Sequence, residues 1–123
     1  MGIDIYARWK GQSEEERDKQ ASVWLSSEAG ANGYLREAYH GEPYATMFLC
    51  SEAFSPEGAQ IPSGVLRERL PHALALVEER CRKLYHASEA EIEGVKQSFR
   101  GFVSLCERKE KETGEPVLVT ASF

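Results

Sequence analysis

The sequence predicts an α+β fold, with a small three-stranded, mainly antiparallel sheet covered on one face by a long antiparallel helical hairpin plus a short surface helix, in the order β-α-β-α-α-β. Segments 2–9 and 117–123 alternate between apolar and polar residues, which is typical of half-buried strands. Segments 63–86 and 89–113 repeat apolar residues every three or four positions, as one face of a helix does. Because only residues 86–88 or so join the two helical segments, the helices must form an antiparallel pair.

The first strand places Ile3, Ile5, Ala7 and Trp9 on one side, and we expect it in the middle of the sheet. A capping box from Ser13 to Glu16 then predicts a helix over about 14–22. This helix is polar until segment 23–25, so we expect it to lie on the surface and to be anchored by its last turn.

The central stretch, residues 33–50, begins with a mixture of tyrosines, charged residues and glycines and continues as an apolar run. Residues 34–39 are expected to form one or two helical turns, which Gly41 and Pro43 stop. The apolar run 44–50 is expected to be the second strand, and residues 51–62 an irregular connection.

The helical hairpin has one interruption, since Pro71 falls inside the apolar pattern. Proline lacks an amide hydrogen and clashes with the preceding turn, so we expect a short helix at 63–69 and a longer one from 71. A second capping box opens the last helix at Ser88, and Gly114 stops that helix. The pair is expected to bury the following side chains: Leu74, Val77, Cys81, Ile92, Phe99 and Phe102.

Gly94 and Gly101 share one face of the last helix. A glycine inside a helix costs about 1 kcal/mol relative to alanine. Because two glycines on one face of the helix double this cost, we expect another part of the chain to bring its backbone close to that face.

Composition limits the classes of function. A chain of 123 residues predicts a single domain, and the net charge of −5 argues against nucleic-acid binding. No apolar run is long enough to span a membrane, and three widely spaced cysteines predict free thiols in the cytoplasm. The three histidines and the cysteines have no metal-ligand spacing, so we expect neither a metal nor a cofactor.

The candidate binding residues lie within segment 30–44, which is unusually rich in tyrosine, arginine, histidine and glycine. They are Tyr34, Arg36, Tyr39, His40 and Tyr44. In a helix, Arg36 and His40 would be neighbours able to hold an anion, and tyrosines offer flat apolar area together with a hydroxyl group. The three side chains of Arg36, Tyr39 and His40 are expected to reach the surface.

Three interpretations of this segment remain open. It is a protein-contact or self-association surface of a small soluble, non-enzymatic interaction module, with a homodimer as one form of that contact. Alternatively it is a small-ligand or enzymatic site with an anion pocket formed by Arg36 and His40, or it only bridges helix and sheet. An apolar patch would favour the first hypothesis, whereas a concave site would favour the second. No catalytic residue can be named from the sequence.

Overall fold

In the computed structural model, residues 2–22, 26–39 and 41–123 are described. The described strands are β1 (Gly2–Arg8), β2 (Tyr34–Ala38), β3 (Ala59–Ile61) and β4 (Val117–Ser122). The described α-helices are α1 (Glu14–Ser22), α2 (Ala45–Leu49), α3 (Ser63–Tyr85) and α4 (Glu89–Thr113). Short 3-10 turns occupy Gly30–Asn32 and Ser51–Ala53.

The predicted fold class is confirmed, with one strand more than expected. The described strands form a four-stranded antiparallel sheet in the order β2-β1-β4-β3, so β1 is an inner strand as expected. Ile3, Ile5 and Ala7 are buried, whereas the alternate side chains of β1 are half-buried. The helical hairpin α3–α4 packs against the buried face, and α2 packs on α3.

The prediction of helical turns at 34–39 is wrong, because residues 34–38 form the strand β2. Its alternation matches β1 across the sheet: Tyr6 pairs with Tyr34, and Asp4 pairs with Arg36. One or two isolated helical turns are only marginally stable in water, whereas pairing with β1 supplies hydrogen bonds along the whole segment.

The prediction of a strand at 44–50 is also wrong, since Ala45–Leu49 is the helix α2. A short apolar run does not distinguish a buried strand from a buried helix. One cause of the helix is Glu37 of β2, whose carboxylate accepts hydrogen bonds from the backbone amides of Ala45 and Thr46, both at 2.9 Å. Those amides belong to the first turn of α2, where the N–H groups have no carbonyl acceptor within the helix.

The added strand β3 lies in segment 51–62, which the sequence predicted to be irregular. It pairs with β4 and forms the second edge of the sheet. Its entry requires glycine at position 58, where φ is +71° and an added Cβ would lie 2.5 Å from the carbonyl oxygen of Val119.

The expected break near residue 70 does not occur, and α3 continues through Pro71 as one helix of 23 residues. Leu66 and Leu70 before the proline and Ala73 and Val77 after it are all buried on the same face. Pro71 itself is exposed, so the carbonyl that loses its intrahelical partner lies on the side facing solvent. The free energy gained by burying this continuous apolar face of α3 outweighs the free-energy cost of the proline.

The ends of α1 and α4 follow the prediction. Each begins with its capping box, from Ser13 to Glu16 and from Ser88 to Glu91, and α4 ends at Gly114 in the left-handed conformation. The predicted anchor of α1, residues 23–25, lies outside the described residues. Within the described part, the fully buried Gln20 fixes α1 by donating to the carbonyl oxygen of Ala7 at 2.7 Å.

The predicted core of the hairpin is confirmed for its central residues. Val77, Ile92, Phe99 and Phe102 are buried. Leu74 and Cys81 are only half-buried, because they lie toward the edges of the apolar stripe of α3.

The glycine prediction is confirmed at one position and wrong at the other. An added Cβ at Gly101 would lie 3.0 Å from the backbone nitrogen of Ala31, so α4 does approach the turn at 30–32 closely. In that turn, an added Cβ at Gly30 would lie 1.6 Å from the carbonyl oxygen of Ser98, which excludes any side chain there. A Cβ at Gly94 would meet nothing within 4 Å.

Candidate binding cleft

Two of the predicted site residues make contacts within the sheet. Tyr34 and Arg36 lie on the face of the sheet opposite the hairpin core, where the Tyr34 hydroxyl and Nη1 of Arg36 both donate to Oδ1 of Asp4, the latter at 2.9 Å. Tyr34 is 3% exposed and packs its ring against Tyr6 at 5.3 Å. Burial, followed by the hydrogen bond to Asp4, raises the pKa of Tyr34 to about 12, so the phenol stays protonated.

The other described candidates form a separate cluster. The rings of Tyr39 and Tyr44 meet edge to face at 6.2 Å, and the guanidinium of Arg80 lies 5.0 Å from the centre of the Tyr44 ring. Tyr39 is 41% exposed, which confirms its expected surface position, and the Arg36 side chain is partly exposed. His40 lies outside the described residues. The expected helical pairing of Arg36 with His40 is wrong because residues 34–38 are a strand.

A cleft opens between the outer strand β2 and the loop-linked ends of α3 and α4; we call it the hairpin cleft. Its volume is about 340 Å³, at the lower end of the range of ligand sites. Its apolar walls are formed by the following residues: Ala38, Val77, Cys81, Tyr85, Val95 and Phe99. Four charged residues also line it: Arg36, whose guanidinium is turned to Asp4 on the other face of the sheet, and Glu37, Arg80 and Glu91. Segment 30–44 thus provides one wall of a concave site.

Glu37 and Arg80 form a buried ion pair at the cleft, with Nε of Arg80 3.4 Å from Oε2 of Glu37. Their side chains are 12% and 9% exposed. Besides the amides of α2, the Glu37 carboxylate accepts from the Thr46 hydroxyl at 2.6 Å. The pair therefore joins β2, α2 and α3 at one point, and it holds the cleft in shape.

The guanidinium of Arg80 is only partly satisfied. Its Nη1 donates to the carbonyl oxygens of Gly41 at 2.5 Å and Pro43 at 2.8 Å, which ties the 41–43 loop to α3. Its Nη2 is buried and has no hydrogen-bond partner among the described residues. A buried donor without a partner costs about 1–3 kcal/mol of stability. A group of this kind needs a physical explanation, such as strain, a functional role or a bound water or ion.

The sequence carries a signal for Arg80 that lies outside segment 30–44. The buried positions of α3 are 63, 66, 70, 73, 77 and 80, with spacings of 3, 4, 3, 4 and 3. A charged residue on an apolar stripe is seldom buried without a partner. Its partner Glu37 could not be found in this way, because a strand residue 43 positions earlier has no fixed relation to the helix.

The thiol in the cleft is not an activated nucleophile. Burial raises the pKa of Cys81 above its usual value, so the thiolate is scarce at neutral pH. All three cysteines are free, as predicted, and Cys50 and Cys106 are fully buried. Within the described part of the chain, no group of three or more metal-ligating side chains comes together.

A second, more open depression lies on the other side of Tyr44; we call it the aromatic shelf. Its volume is about 510 Å³, and it is lined by Glu42, Pro43, Tyr44, Met47, Phe48, Ser51, Arg69, His72 and Leu76. Phe48 is 38% exposed, and its ring lies 4.2 Å from that of His72. The shelf is therefore a shallow apolar area with a polar rim.

Comparison with known proteins gives no relative: no protein-family model, no curated protein and no solved structure matches this chain. Of the described helices, none combines the length and the apolar character that crossing a membrane requires.

Proposed function

We propose that this protein is a small, non-catalytic ligand-binding domain whose site is the hairpin cleft. The observation that carries the proposal is the concave apolar cleft built around the buried Glu37–Arg80 pair. Ligand sites are typically apolar hollows with a few fixed polar groups. Here the walls come mainly from β2, α3 and α4, elements of regular secondary structure.

The site differs from the one that the sequence predicted. Of the predicted anion pocket, Arg36 lines the cleft with its charge paired with Asp4, and His40 lies outside the described residues. Arg80 replaces it as the cationic group of the site. Binding without catalysis is supported by the groups present, since the Cys81 thiol is protonated and Glu37 is fully engaged by α2 and Arg80.

The three free thiols support the cytoplasm as the proposed location, because reduced cysteines persist there.

The proposal can be tested with isobutylbenzene, an uncharged apolar probe, added to 15N-labelled protein. We expect amide shifts centred on the cleft residues Ala38, Cys81 and Val95, and slower alkylation of Cys81 by N-ethylmaleimide when the probe is present. Val95→Gln adds a polar group to the cleft wall and should weaken binding about tenfold, the order expected for loss of one apolar contact site.

The matched control is Leu84→Gln. Leu84 is 45% exposed on the same hairpin and does not line the cleft. It should bind the probe as the unmodified protein does. Probe shifts that centre elsewhere, or equal losses in the two variants, would refute the cleft as the binding site.

A second candidate function is the protein contact predicted for segment 30–44, with a second copy of this chain as the partner. It is favoured by the exposed aromatic rings of Tyr39 and Phe48 beside the aromatic shelf, since such rings supply much of the contact energy in interfaces. Sedimentation equilibrium tests it: a dimer that Tyr39→Glu dissociates would support self-association through segment 30–44, and a monomer at high concentration would reject it.

A further inference from the structure

The hairpin cleft holds a specific chemical feature beyond its apolar walls. Among the described residues, the buried side-chain polar atom that has no hydrogen-bond partner is Nη2 of Arg80, a residue that lines this cleft. Arg80 is 8% exposed, so bulk water does not satisfy this nitrogen. An arginine has donors and no acceptors, and so the missing partner is an acceptor atom.

The charges around the cleft decide what kind of acceptor fits. Two guanidinium groups, Arg36 and Arg80, already face carboxylates, at 2.9 Å from Asp4 and 3.4 Å from Glu37. Glu91 lines the cleft as well, so a second carboxylate accompanies the Glu37–Arg80 pair there without a further cation that lacks a counter-ion. An anionic ligand would be repelled by Glu37 and Glu91 without finding an uncompensated cation. The charge balance therefore favours an uncharged acceptor.

We infer that the hairpin cleft takes a ligand with an apolar body and a neutral carbonyl oxygen, which accepts a hydrogen bond from Nη2 of Arg80. This inference rests on the proposed function and adds the ligand class to it. A ketone, an ester or a peptide amide carries this chemistry. In this binding mode the apolar body lies against Phe99, Val95 and Val77, and the carbonyl oxygen lies beside the guanidinium of Arg80, which lines the same cleft.

Three probes of nearly the same shape separate the contributions. Isobutylbenzene has no acceptor, phenylacetone has a neutral carbonyl, and phenylacetate has an anionic carboxylate. We expect phenylacetone to bind about tenfold more tightly than either of the others, as one hydrogen bond from a charged donor provides. It alone should shift the side-chain guanidinium resonances of Arg80. Equal affinity for the ketone and the hydrocarbon, or a preference for phenylacetate, would overturn the inference.

Arg80→Lys supplies the matched variant, because it keeps a cation beside Glu37 and removes Nη2. In this variant the ratio of ketone to hydrocarbon affinity should fall to about one, while isobutylbenzene still binds. An unchanged ratio would overturn the inference. If the variant does not fold, the three probes and the guanidinium resonances of the unmodified protein still decide the question.

Two further outcomes keep the claims separate. If isobutylbenzene binds in the cleft and phenylacetone has no advantage, the ligand class is wrong while the binding cleft stands. If none of the three probes binds in the cleft, the proposed function itself fails. N-acetylphenylalanine N-methylamide distinguishes the source of the carbonyl, since tighter binding than phenylacetone indicates a peptide and weaker binding a small molecule.

Discussion

Removing the Glu37 side chain is expected to destabilise the protein far more than removing an exposed acid. Glu37→Ala deletes the counter-ion of Arg80 and three hydrogen bonds at the start of α2. Breaking a buried ion pair from one side costs about 3–5 kcal/mol, because the remaining charge stays buried without its partner. For a chain of this size, that loss corresponds to a fall in Tm of roughly 10–25 °C.

The control is Glu107→Ala. Glu107 pairs with Arg67 at 2.5 Å, but the two side chains are 39% and 48% exposed, so its loss should cost less than about 1 kcal/mol. Glu37→Gln retains an acceptor for the α2 amides without the charge and should fall between the two. Urea unfolding followed by circular dichroism measures all three. If Glu37→Ala costs no more than Glu107→Ala, the pair does not hold β2, α2 and α3 together.

Two other expectations concern packing and the cleft thiol. Gly94→Ala should stabilise the protein by about 0.5–1 kcal/mol because its position is open, whereas Gly101→Ala should destabilise it by about 1–3 kcal/mol because the added methyl meets the backbone of Ala31 at 3.0 Å. Urea unfolding of both variants checks this, and stabilisation by both would disprove the contact. Cys81 should be the cysteine that N-ethylmaleimide labels in the folded protein, more slowly at pH 8 than a free thiol and faster as the pH rises, since its raised pKa leaves less thiolate. Labelling at the free-thiol rate, read by mass spectrometry, would contradict the burial of this thiol.

Local signals in the sequence were reliable where the residues that determine a structural feature all lie in one short segment. The capping boxes at Ser13 and Ser88 and the stop at Gly114 depend on residues three or four positions apart, and all are confirmed. The alternation of β1 and β4 is confirmed in the same way, because a strand with one buried face alternates whatever its neighbours are.

The candidate site was predicted only in outline. Segment 30–44 does border the hairpin cleft, through Arg36, Glu37 and Ala38. Yet composition drew attention to the tyrosines and to Arg36, and the sequence offered no reason to choose Glu37. Its importance comes from its register opposite Ile3, which directs it to the hairpin side of the sheet, where Arg80 lies.

The sequence by itself determined the fold class, the hairpin and the periodic cores of its two helices, because each follows from spacings within one segment. Only the tertiary structure decided that 34–38 is a strand, that 45–49 is a helix and that α3 passes through Pro71. Those outcomes depend on pairing with β1, on the Glu37 carboxylate and on burial beneath the sheet. Each is a contact between residues distant in the chain, and its free energy exceeds the weak local preference that opposes it.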